Sequence, residues 1–116
     1  MSTPSYLEAV RPLALALPET EEGTSYRTPA FRVHGKLFAR LWEDGETLVL
    51  KISFDAREIL MGVDAETFYI TDHYRNYPSV LVHLSKIDPD RLREVIEEAW
   101  RFNAPKKLLA AQDSKR

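Results

Sequence analysis

Seven consecutive residues, Asp72-His73-Tyr74-Arg75-Asn76-Tyr77-Pro78, place an imidazole, two phenol rings and a guanidinium in one short segment. Rings of this kind can stack on nucleobases, and His73 and Arg75 can contact phosphate. A packing role competes: the tyrosines of such a connector can cover a sheet edge, with Pro78 opening an edge strand. A second concentration of chemistry lies in 23–41, where Arg27, Arg32, Lys36 and Arg40 occur with no acidic residue between them. A block of positive charge on a chain of net charge −2 points to an anionic partner. A row of cations on a solvated strand face is also ordinary surface chemistry.

Other chemistries find little support. His34, His73 and His83 are scattered without ligand spacing, and there is no cysteine, so neither a zinc site nor a thiol nucleophile is expected. Glu19, Glu21 and Glu22 are read as a solvated connector, since a loose acidic run usually binds nothing. Ser25, Ser53, Ser79 and Ser85 lie in no nucleophile-elbow or SxxK context, and the four glycines are too far apart for a phosphate loop. No catalytic residue, metal or cofactor is therefore expected.

The elements that must hold these residues follow from periodicity. The 116 residues, 44% hydrophobic and 29% charged, suit one globular domain with its own core. Thr3 and Pro4 can open a first helix, which continues through Tyr6, Leu7, Val10, Leu13, Ala14 and Leu17 and is kinked or broken at Pro12. Residues 30–33 and 36–42 read as strands about a His34-Gly35 turn, and Asp44-Gly45 is a hairpin turn before a strand over 46–52. Alternation puts Leu37, Ala39 and Leu41 on one face and Phe38, Arg40 and Trp42 on the other. Asp55 can cap a short helix stopped by Gly62, and residues 68–71 and 80–84 read as partner strands. The clearest element begins at Asp88-Pro89, where Leu92, Val95, Ile96, Ala99 and Trp100 form an apolar stripe ended by Asn103 and Pro105. The tail from about residue 109 is read as frayed. The whole is an α+β domain: an antiparallel sheet of about five strands with helices at both ends of the chain.

Several stretches resemble the MmcQ/YjbR family: Leu17-Pro18, Glu21-Glu22-Gly23, Tyr26, residues 28–33 and 35–40, Phe68-Tyr69-Ile70-Thr71, His73-Tyr74, Tyr77-Pro78, Val80-Leu81-Val82, Glu97-Glu98-Ala99-Trp100 and Ala104-Pro105-Lys106. The likeness runs from about Leu7 to about Leu108. It implies a two-layer α+β domain, similar in layout to frataxin-like and secretion-chaperone-like domains, and a DNA-binding, double-wing role. Together the residues and the resemblance lead to an expectation of weak, non-catalytic DNA contact through Arg27, Lys36, Arg40, His73, Tyr74, Arg75 and Tyr77. The alternative is a module for a protein partner or small ligand. A monomer in a reducing cytoplasm is expected, with no membrane partner. The terminal residues Met1–Ser5 show no basic and apolar leader pattern.

Overall fold

The computed structural model describes residues 6–114. The elements run α1 (Tyr6–Leu15), β1 (Thr20–Ser25), β2 (Thr28–Val33), β3 (Lys36–Leu41), β4 (Thr47–Lys51), α2 (Phe54–Val63), β5 (Phe68–Tyr69), β6 (Ser79–His83), α3 (Pro89–Asn103) and α4 (Lys106–Asp113). The strands form one antiparallel sheet in the order β1-β2-β3-β4-β6-β5. Helices α1 and α3 pack on one face of it, over β1–β2 and β3–β4 respectively. The core lies between these layers. It joins Phe31 and Val33 of β2, Leu48 and Leu50 of β4, and Val80 and Val82 of β6 to Val95, Ile96 and Trp100 of α3. The lid helix forms as its sequence implies: the Asp88 carboxylate accepts hydrogen bonds from the Asp90 and Arg91 amides, and Pro89 occupies the first turn.

The structure corrects the sequence reading in several places. The sheet has six strands, because the acidic run is an edge strand and not a connector. Glu21 and Glu22 project from β1, whose register runs from Thr20↔Val33 to Ser25↔Thr28. Adjacent strand residues point to opposite faces, and both faces of this edge strand are wet here. Glu22 forms a two-pronged pair with Arg11 at 2.7 and 2.9 Å, and Glu19 pairs with His34. Helix α1 runs unbroken across Pro12 and ends at Leu15, short of Leu17, while Val10 and Ala14 anchor it in the core. The expected Thr3 cap lies outside the described residues. Ser53, not Asp55, caps α2, its hydroxyl accepting from the Ala56 amide, and the helix passes Gly62 to Val63. Strand β5 is only two residues long. A bulge shifts the β2–β3 register, so that Phe31 faces Ala39 while Arg32 faces Leu37. The extra residue, Phe38, turns into the core, and Leu37 moves to the face that carries Arg40.

Asp44 fixes the β3–β4 turn by accepting from the Glu46 amide (2.9 Å), the Thr47 amide (3.0 Å) and the Thr47 hydroxyl (2.9 Å). Burial pushes this carboxyl up, but the bonds from Glu46 and Thr47, with His83 adding attraction, outweigh it and hold the group below the usual carboxylate range. A depressed folded-state pKa stabilises the protein above the unfolded-state value, and that contribution is lost as pH falls through the folded-state value. An Asp44→Asn variant should therefore lose less stability than the native chain on acidification below about pH 4. Urea melts at neutral and acid pH check this, and parallel acid limbs would remove Asp44 from the account.

Candidate functional site

The sheet face turned away from α1 and α3 carries the site. One cross-strand row runs Ala30, Arg40, Val49, Leu81, Tyr69, each residue paired with the next. Alternation then places Lys51, two residues after Val49, on the same face, with Ser79 opposite it in register. The connector between β5 and β6 begins with a single 3₁₀ turn, Asp72–Tyr74, and folds over this face. The tip of the β1–β2 hairpin rises on another side. Between them lies a cleft of about 680 Å³, whose side walls include Tyr26, Arg40, Lys51, His73, Tyr74 and Tyr77. Among the described residues no carboxylate lines it.

Arg40 is held nearly buried, its side chain only 12% exposed. Its Nη1 donates to the Thr28 hydroxyl (3.2 Å) and the Leu41 carbonyl (3.3 Å). Its guanidinium lies 5.2 Å from the centre of the Tyr26 ring, within cation–π range. The nearest described carboxylate contact is Glu43 at 3.8 Å. Lys51 is exposed and has no described salt-bridge partner. Tyr74 forms a wall: its hydroxyl accepts a long hydrogen bond from the Trp42 indole N–H (3.4 Å), and its ring meets His73 edge-on at 4.8 Å. Tyr26 and Tyr77 stay 81% and 56% exposed, although large apolar rings ordinarily seek cover.

The connector keeps its shape through a residue in another element. Arg57 of α2 is 5% exposed, and its guanidinium donates to three backbone carbonyls of this segment and to that of Ser79, the first residue of β6. Nη1 reaches Tyr74 (3.1 Å), Tyr77 (2.9 Å) and Ser79 (3.3 Å), and Nη2 reaches Arg75 (3.2 Å). The Glu58 carboxylate stands 3.6 Å from Nε, and the Phe54 ring lies 4.8 Å from the guanidinium carbon. A planar cation with five donors reaches several carbonyls at once, and adds to the backbone bonds that the Tyr74 and Tyr77 carbonyls already accept from the Tyr77 and Ser79 amides.

The hairpin tip is strained. Tyr26 and Arg27 both have positive φ, 53° and 68°, in a two-residue turn closed by the Ser25–Thr28 pair. Such a turn favours Asn-Gly, and a side chain in this region costs about 1 kcal/mol or more. Arg27→Gly should raise stability by about 0.5–1 kcal/mol, because glycine adopts this φ without steric cost. A denaturant midpoint that stays fixed or falls would show that Arg27 makes a compensating contact.

The expected site residues are only partly brought together. Arg40, His73, Tyr74 and Tyr77 share the cleft, and Tyr26 joins them. Arg27 stands at the hairpin tip beside Tyr26. Lys36 flanks the opposite turn, at the far end of β2 and about 17 Å of strand away. Arg75 points outward and pairs with Asp72 at 2.6 Å, both side chains well exposed. Phe31 of the β1–β2 hairpin is buried in the core on the other face. The sequence reading missed Lys51 and Arg57. Alternation with Val49 could have found Lys51, whereas Arg57 had no local signal. Among the described residues no three His, Cys, Asp or Glu side chains converge as metal ligands, and no helix is long and apolar enough to cross a membrane.

The YjbR family model matches residues 15–102. Uncharacterized proteins of Mycobacterium tuberculosis (strain ATCC 25618 / H37Rv) and of Mycobacterium bovis are 34% identical to this chain over 68 residues, which is 58% of this chain. The match spans about half the length, 53%, of each of these relatives. A crystal structure of Deinococcus radiodurans protein DR2400, with the domain DUF419, aligns at a TM-score of 0.69 and 19% identity, covering 81% of this chain and 75% of that one. It shares the fold.

Proposed function

The chain belongs to the YjbR family, and from the residues of its open sheet face we propose that it is a non-catalytic nucleic-acid-binding module. The observation that carries this reading is the lining of the cleft: two cations, a histidine, three tyrosines and, among the described residues, no carboxylate, on a chain of net negative charge. Acidic groups dominate elsewhere, so the concentration of positive groups beside stackable rings is local. Arg40 and Lys51 supply charge for phosphates, and Tyr26 and Tyr77 supply ring faces. Lys36 and Arg75 lie outside this constellation and contribute at most long-range attraction.

Two cations support only modest strength, so affinity should fall near the non-specific range of about 10⁻⁴ to 10⁻⁶ M. Fluorescence anisotropy with a labelled oligonucleotide tests the reading. Two phosphate contacts on a single strand predict about a sevenfold loss of affinity between roughly 50 and 200 mM salt, and Lys51→Glu should bind more weakly with a shallower salt dependence. No binding at low salt, or equal binding by the Lys51 variant, would defeat the reading.

A protein-interaction module is the second reading, resting on a different surface. Ile59 and Val63 stand four residues apart on α2, each 65% exposed, and so form a small apolar strip. Binding there would be insensitive to salt.

A further inference from the structure

We infer that the unit this cleft accepts is one nucleotide, its base needed as much as its phosphate, presented by a single strand or as a free mononucleotide and not by a duplex. The inference rests on the nucleic-acid reading above and narrows its substrate class. A volume of about 680 Å³ is that of a small-ligand site. The walls beside it, the Asp72–Pro78 connector and the hairpin tip, come from separate segments of the chain and stand over a sheet. A base turned out of a single strand can pass between them. A paired base cannot, because its ring faces are covered by its neighbours in the stack and only its edges are open in the grooves.

The division of labour inside the cleft matches a nucleotide. The hydrogen bonds that hold Arg40 all come from Nη1, and the Tyr26 ring packs against its guanidinium. Among the described residues its Nε and Nη2 donate to no protein acceptor, and neither atom is a sealed, unsatisfied group. A fixed guanidinium with free donors suits a phosphate or the edge of a base. Lys51, exposed and flexible, adds a second charge that can follow a backbone phosphate. For the base, Tyr26 has one ring face against Arg40 and the other open, and Tyr77 is more than half exposed. Tyr26 is also kept at a backbone conformation that an unconstrained tyrosine avoids. Tyr74 is already engaged with Trp42 and His73 and serves as a wall.

The fold supplies its own reporters. The Trp42 indole N–H donates to the Tyr74 hydroxyl at the cleft, whereas the Trp100 indole N–H donates to the Pro18 carbonyl from the core on the other face. In a ¹⁵N-labelled sample these give two side-chain signals, one at the site and one serving as internal control. The probes are a thymidine hexanucleotide, the same strand with abasic sugars, the matching duplex, and thymidine 5′-monophosphate. The hexanucleotide and, at higher concentration, the mononucleotide should shift the Trp42 signal and leave that of Trp100 in place. The abasic strand should bind at least about tenfold more weakly, as expected for loss of base stacking, and the duplex should also bind more weakly than the single strand. Abasic and normal strands of equal affinity, a duplex bound as tightly as the single strand, or binding that leaves Trp42 unmoved would each overturn the inference while leaving nucleic-acid binding intact. A mononucleotide that shifts Trp42 when no strand binds would support the nucleotide site and defeat the polymer reading. Silence with all four probes would defeat both.

Discussion

Replacing Arg57 with methionine is expected to lower stability by about 3 kcal/mol and to release the connector that carries His73, Tyr74 and Tyr77. The magnitude follows from what the guanidinium holds. Four carbonyls of residues 74–79 point at one buried cation, at 2.9 to 3.3 Å. A hydrogen bond to a charged group contributes about 1.5–3 kcal/mol, but the four act as a unit and the freed carbonyls can turn to water, so the simple sum is not reached. Methionine keeps an apolar side chain at this buried position and removes the charge, the donors and the guanidinium's contact with the Phe54 ring. Arg57→Lys should recover little, because an ammonium cannot spread donors over four carbonyls as a planar fork does. Urea melts give the stability. Exchange of the Trp42 indole proton, which depends on Tyr74 staying in place, gives the state of the connector. A loss below about 1 kcal/mol with unchanged exchange would show that the connector holds itself.

Trp100→Ala should cost about 3–5 kcal/mol, an effect as large as any single substitution in this chain is expected to have. Trp100 is fully buried, at 0% exposure, on the face of α3 that closes the core. Its indole N–H also donates to the Pro18 carbonyl at 3.0 Å, tying the last long helix to the entry of β1 across 82 residues of sequence. Trp100→Phe separates the two contributions. It retains most of the packing and leaves the Pro18 carbonyl without its partner, so about 1–2 kcal/mol of the loss should appear there. If the phenylalanine variant were as stable as the native protein, the bond would be replaced by water and packing alone would account for the helix's hold.

How far these features could be read from sequence depends on whether their cause is local. Helix α3 was legible because its cap, its first-turn proline and its apolar stripe are all contained in sixteen consecutive residues, 88–103. Strands β3 and β4 were legible through the Asp44-Gly45 turn and the alternation that follows. Strand β1 was not, because Glu21, Glu22 and Gly23 have no intrinsic preference for a strand. They are extended because β2 offers them a free edge to pair with. The face of Leu37 was misread because a bulge at Phe38 reverses the alternation, and nothing in the local residues marks it. In the site, the residues crowded into 72–78 declared themselves by their density. Arg57 did not. In an amphipathic helix it reads as a surface cation, and its four acceptors lie 17 to 22 residues further along the chain. The block of charge in 23–41 was legible as composition but not as geometry. Two hairpin turns send Arg27 and Lys36 to opposite ends of β2, leaving Arg40 as the cation of that block that lines the cleft.

Nucleic acid is expected on the open sheet face, at the tyrosine-lined cleft. Photo-crosslinking tests it most directly. A short single strand carrying 5-iodouracil, irradiated with the protein at low salt and digested for mass spectrometry, marks the aromatic side chains against which its bases rest. Adducts are expected on Tyr26 or Tyr77, reduced by excess unlabelled single strand and by Lys51→Glu. Adducts confined to residues outside the cleft, such as Phe102 on α3 or Phe54 on α2, or no adduct at a concentration where anisotropy reports binding, would contradict that placement.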